Sequence, residues 1–118
     1  MRNKKVNNLE FGTFIKNTRL GLKIGVREFA SQIGISSTYI SKMEIGDYGP
    51  PKEENVKKMA VILKVNPDKL LAIGNKLSSD IKNIINSNPN LYTSFIRKAS
   101  TKDIKQFMKL LINNQSQS

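Results

Sequence analysis

The sequence contains no histidine, no cysteine and no tryptophan among its 118 residues. Without cysteine or histidine there can be no zinc finger, disulfide framework, imidazole–metal centre or Cys/His nucleophile. The 9 Asp and Glu side chains are too few and too scattered to suggest acid/base or oxygen-ligand chemistry. No catalytic residue, cofactor site or metal site is therefore expected, and the chain does not read as an enzyme. Long apolar runs are also missing: nothing approaches the ~18 consecutive apolar residues of a membrane span, and no signal-like stretch follows the polar N-terminus. The expected location is the cytoplasm.

Positive charge is plentiful. Lys and Arg number 20, for a formal net charge of +11 and a pI near 10.0. Such a balance favours a polyanion partner, most often nucleic acid, although a Lys/Asn/Ile-rich composition also raises the charge by bias alone. The charge is spread out: residues 1–74 hold 13 basic and 7 acidic groups, and residues 75–118 hold 7 and 2.

Apolar residues recur at helical spacing and never alternate for long, which predicts an all-α chain. A first helix runs over 9–22 with Phe11, Ile15, Thr18 and Leu22 as its stripe. Val26, Phe29, Ala30 and Ile33 mark a second, which Gly34 stops as a left-handed glycine would. Ser36 and Ser37 can cap a third, with Tyr39, Ile40 and Met43 inside. Gly46, Gly49, Pro50 and Pro51 make an irregular loop. Glu53 and Glu54 then open a helix buried through Val56, Met59, Ala60 and Leu63. Asn66-Pro67 caps and starts a fifth, through Leu70, Leu71 and Ile73, which Gly74 closes. Beyond it, Leu77, Ile81, Ile84 and Ile85 share a face, Asn88-Pro89 repeats the cap-plus-proline pattern, and Ser100-Thr101 offers another cap. Asp80 and Asp103 read as helix-start residues. The expected organisation is a basic N-terminal arm (1–8), a helical domain (9–74), a helical extension (75–113) and a disordered tail (114–118).

Val26 to Glu44, VREFASQIGISSTYISKME, holds two short helices around a glycine turn. Ala30 is small where the helices must approach, Gly34 reverses the chain, and Ile40 lets the second helix pack back. A DNA-binding helix-turn-helix has this geometry, although other helical bundles also use such a pair.

Phe11 to Leu71, FGTFIKNTRLGLKIGVREFASQIGISSTYISKMEIGDYGPPKEENVKKMAVILKVNPDKLL, resembles the Xre / Cro–CI family of bacterial and phage regulators. The resemblance rests on the basic first helix, EFASQIG, SSTYISKME, the prolines before helix four and VNPDKLL. It implies a five-helix, lambda-repressor-like domain that binds a pseudo-palindromic operator in double-stranded DNA as a homodimer. The family's functional positions match here as follows: Ser37, Thr38, Ser41 and Lys42 read base edges; Ser36, Arg27 and Lys52 hold phosphates; Arg19 and Glu44 form a structural ion pair. Hydroxyls can bond either type of base edge, and Lys donates to guanine O6/N7. Singly, Lys16, Lys57, Lys58 and Lys64 read as solvated helix-face residues. Three features depart from the family. Val26 stands where a phosphate-gripping Gln is common, Ile45 where a polar residue is, and Lys23 and Gly25 where a Gly and a Ser/Thr cap are.

The extension is too apolar for a free tail. Its side chains either enlarge the core or, through Ile104, Phe107, Met108, Leu111 and Ile112, join two copies. The segment SSDIKNIINSNPNLYTSFIRKAS also resembles mobile-element regulators that occur with a metallopeptidase antirepressor. The function expected is a transcriptional regulator, most naturally a repressor. The alternative is an antitoxin or adaptor whose extension binds a toxin or other protein.

Overall fold

A computed structural model describes the backbone of residues 4–116 and the side chains of residues 7–113. The described chain is all-α. Its helices are α1 (Lys4–Gly21), α2 (Val26–Ile33), α3 (Ser37–Glu44), α4 (Glu53–Leu63), α5 (Pro67–Ile73), α6 (Ser79–Ser87), α7 (Pro89–Lys98) and α8 (Thr101–Ser116). They divide into two compact units, Met1–Ser78 and Ser79–Ser118.

In the first unit, five helices enclose one core made of Phe11, Ile15, Phe29, Ala30, Ile33, Ile40, Met43, Val56, Met59, Ala60, Leu63, Leu70 and Leu71. α1 to α4 each contribute residues at i, i+3 or i+4 spacing, and α5 adds the adjacent Leu70 and Leu71. α2 and α3 pack together, with α1 against α3 and α4 behind α2. Ala30, almost fully buried, lets α2 come close to its neighbours.

The punctuation follows local chemistry. Gly34 is left-handed (φ 91°) and its N–H donates to the Ala30 carbonyl at 2.8 Å, ending α2. Ser36 caps α3 by accepting from the Tyr39 N–H at 3.0 Å. Asn66 caps α5 by accepting from the Asp68 and Lys69 N–H groups at 2.8 and 3.1 Å. Gly25 starts α2 with no side-chain cap. Lys23, two residues earlier, takes a positive φ of 60°, a conformation glycine adopts more readily.

Several expectations are corrected. Helix α1 starts at Lys4 rather than 9, because residues 4–8 contain no glycine or proline to stop it; the proposed arm is therefore largely helical, and residues 1–3 lie outside the described region. The buried stripe of α1 is Phe11, Ile15 and Arg19. Thr18 instead donates to the Phe14 carbonyl at 2.7 Å, and Leu22 is exposed. At the other end α8 continues to Ser116, so most of the expected tail is helical.

In the second unit, Asn88 does not cap α7 with its side chain, although Pro89 opens the helix as expected. Ser100 and Asp103 form a reciprocal cap on α8: the Asp103 N–H donates to the Ser100 hydroxyl and the Ser100 N–H to the Asp103 carboxylate, both at 3.1 Å. The rings of Phe95 and Phe107 meet at 6.3 Å, tilted by 56°. Within this unit the apolar side chains do not close a core. No residue of α6 or α7 is buried, and Ile104, Phe107, Met108, Leu111 and Ile112 are all exposed.

Candidate nucleic-acid interface

The candidate surface is built on α3. Residues 37, 38, 41 and 42 recur at the spacing that places them along one side of a helix, away from the buried Ile40 and Met43. Ser37, Thr38, Ser41 and Lys42 line a shallow concavity of about 420 Å³ together with Val26 and Arg27 from the start of α2. Two hydroxyl-bearing turns, one lysine and one arginine thus converge on a solvent-facing hollow between the two helices. Val26 supplies its apolar wall.

The remaining expected residues sit elsewhere. Ser36 is exposed at the N-terminus of α3, where its oxygen is already engaged as the cap. The helix still presents its unbonded first N–H groups there, a favourable place for an anion. Lys52 precedes α4, outside the residues lining the hollow. Its ammonium is 3.8 Å from Glu54 and its side chain is 71% exposed.

Arg19 and Glu44 lie on the buried side, each side chain 5% exposed. Arg19 Nε and Nη2 donate to the two Glu44 carboxylate oxygens, both at 2.9 Å, and Nη1 donates to the Ile24 carbonyl at 2.8 Å. One guanidinium therefore joins α1, the end of α3 and the segment leading into α2. The hydrogen bonds that Arg19 donates to Glu44 raise its pKa; burial opposes the rise and the Glu44 charge adds to it. Among the described residues no buried side-chain polar atom is left unpaired.

Other contacts around α3 had no clear signal in the sequence. Gly12 faces the end of α3. A Cβ there would collide with the Met43 carbonyl and lie 2.8 Å from the Glu44 Cα, so α1 and α3 touch backbone to backbone. Tyr39 donates its hydroxyl to the Gly49 carbonyl at 2.7 Å and packs its ring 5.4 Å from Tyr48. Burial raises the Tyr39 phenol pKa above the ordinary value. The only hints in sequence were a glycine inside a helical pattern and two tyrosines, one in α3 and one in the turn after it.

Among the described residues there is no cluster of three or more His, Cys, Asp or Glu that could hold a metal. Nor is any helix there long and apolar enough to cross a membrane.

Known proteins place the same surface in context. The model of a helix-turn-helix domain family matches residues 12–76. The uncharacterized HTH-type transcriptional regulator RghRB of Bacillus subtilis (strain 168) is 42% identical over 62 residues, covering 52% of this chain and 45% of the relative. The chain thus spans under half the length of that relative. The crystal structure of the clp gene regulator ClgR from Corynebacterium glutamicum shares the fold. Its TM-score is 0.51 at 16% identity, over 75% of this chain and 89% of the other. With more than half its length matched by the domain model, the chain belongs to the helix-turn-helix domain family.

Proposed function

We propose that this protein is a cytoplasmic repressor that binds a pseudo-palindromic operator in double-stranded DNA as a homodimer, with residues 9–74 forming a lambda-repressor-like five-helix domain. The observation that carries the reading is the hollow in which Ser37, Thr38, Ser41 and Lys42 meet Arg27. With α3 in the major groove, the hydroxyls exchange hydrogen bonds with base edges and Lys42 donates to guanine. Arg27, Ser36 and Lys52 hold phosphates, which fixes register without reading sequence. The Arg19–Glu44 pair sets the angle at which α3 is presented. Neither cofactor nor catalysis enters this role.

Residues 75–113 supply the dimer contact, with Ile104, Phe107, Met108, Leu111 and Ile112 at its centre. Two copies read two half-sites about one helical turn apart and gain the contacts that a single small domain lacks. The exposure of the same side chains also favours a second reading, an antitoxin or adaptor whose extension grips a toxin or a metallopeptidase antirepressor. A full chain that stays monomeric at micromolar concentration, and changes mass only with such a partner, supports this second reading.

Selection of bound duplexes from a random pool tests the first. The wild type should enrich a two-fold related motif, and a Thr38→Ala, Lys42→Ala double variant should lose it while remaining folded. Enrichment of the same motif by the double variant would remove α3 as the reading helix. Affinity should fall steeply with salt, each neutralised phosphate adding roughly −0.9 to the log–log slope.

A further inference from the structure

The turn after α3 holds a side chain against the one cation among the four base-reading candidates. The Lys42 ammonium lies 5.4 Å from the centre of the Tyr48 ring. Tyr48 is tied to the same residue through the backbone: the N–H groups of Asp47 and Tyr48 both donate to the Lys42 carbonyl, at 2.9 and 3.3 Å. Gly46, at φ 86°, turns the chain back so that these bonds can form. The ring also packs against that of Tyr39, tilted by 39° with centroids 5.4 Å apart, and Tyr39 is anchored in turn to the Gly49 carbonyl. Ring, turn and lysine therefore form one closed unit at the end of the helix. The Tyr48 side chain remains 42% exposed, so the unit sits on the surface.

A free lysine on a helix surface samples many rotamers and loses that freedom when it binds. A cation attracted to an aromatic face has fewer of them to lose. An ammonium carries three donors, and a ring on one side leaves the others free for guanine O6 and N7. We propose that Tyr48 is a specificity-determining residue which positions Lys42, through its ring, for one base of the operator. The inference rests on the reading of α3 as the recognition helix. It assigns Tyr48 no contact with DNA: the residue acts through the lysine.

The test is duplex selection with the full-length wild type, K42A, Y48L, Y48F and Y48W, each checked by thermal melting and by low-salt binding to random duplex. K42A identifies the base position that Lys42 reads. Y48L should lower preference for guanine at that same position by about two- to fivefold, the range of an exposed cation–π contact. Preference elsewhere and binding to random duplex should stay as in the wild type. Y48F keeps the ring and should select as the wild type does. Y48W, with the strongest π face, should keep or sharpen the preference; because the chain has no other tryptophan, its emission should also change when K42M is added. A Y48L motif identical to that of the wild type would overturn the proposal. So would an even loss at all positions, or a loss in the ring-keeping variants Y48F and Y48W, and these two decide the matter if Y48L melts early. A wild type that enriches no motif would instead overturn the DNA-reading role itself, and this inference with it.

Discussion

Arg19 occupies a core position on α1, in line with Phe11 and Ile15, where a leucine would satisfy the helical pattern. Its charge is tolerated there because Glu44 takes two of its donors and the Ile24 carbonyl takes a third. A buried pair of this kind adds little over a well-packed apolar pair, yet removing one partner strands the other charge. Arg19→Ala should therefore lower unfolding free energy by about 3–5 kcal/mol, read by urea denaturation. Replacing Arg19 and Glu44 together with methionine should recover most of that loss. If Arg19→Ala costs under about 1 kcal/mol, the pair behaves as a surface bridge and does not fix α3. Hydrophobic patterning could not place Arg19 inside, since its burial depends on a residue 25 positions away; Thr18 and Leu22 looked the better candidates for the stripe. Only the resemblance to known regulators singled out the Arg–Glu combination.

At the scale of the helix, the boundaries that local chemistry sets were legible and those left to packing were not. Gly34, Ser36 and Asn66 act through bonds to residues two to four positions away, so their roles can be read along the chain. Asn88 has the same dipeptide context as Asn66 without the side-chain cap, which shows that Asn-Pro permits a cap without enforcing one. The start of α1 at Lys4 lies well before Phe11, the first buried apolar residue among those described, so the apolar stripe did not mark it. Gly12 shows most clearly what a one-dimensional pattern hides. Mid-helix glycine is ordinarily unfavourable, and replacing it with alanine on an open face stabilises a helix by up to about 1 kcal/mol. Here the Cβ would strike the α3 backbone. Gly12→Ala should therefore destabilise the fold by about 1–3 kcal/mol and shift α3, measured as a lower melting temperature together with weaker duplex binding. An equal or higher melting temperature would mean that α1 and α3 can separate without loss. The four candidate base-reading residues were singled out by the resemblance to known regulators, and their spacing puts them on one side of α3. The role of Tyr48 was not legible, since it depends on the path of the turn through Gly46.

Across the whole molecule, the net charge of +11 supplies attraction to a polyanion but no address. Among the described residues, Lys42 and Arg27 are the basic ones that line the α3 hollow, so the proposed readout rests on few contacts. The second unit carries its apolar residues without burying them; Phe107, for example, is 52% exposed. Covering what remains exposed of these side chains would favour association, against the cost of bringing two chains together. Sedimentation should accordingly give twice the chain mass for the full protein and a single mass for a chain ending at Ser78. Phe107→Glu with Leu111→Glu should return the full chain to the monomer. Equal masses for the full and shortened chains would sink the dimer reading.

Sequence alone determined the helical class, the glycine turn between α2 and α3 and the caps at Ser36, Asn66 and Ser100. All of these follow from interactions within one or two helical turns, where periodicity and backbone preference decide the outcome. Tertiary structure decided that Arg19 is buried, that Gly12 must be glycine, that Lys42 rests on Tyr48 and that the second unit leaves its apolar side chains uncovered. Each of these depends on which surfaces meet once helices distant in the chain have packed. That is a matter of volume and geometry in three dimensions, and a linear pattern does not carry it.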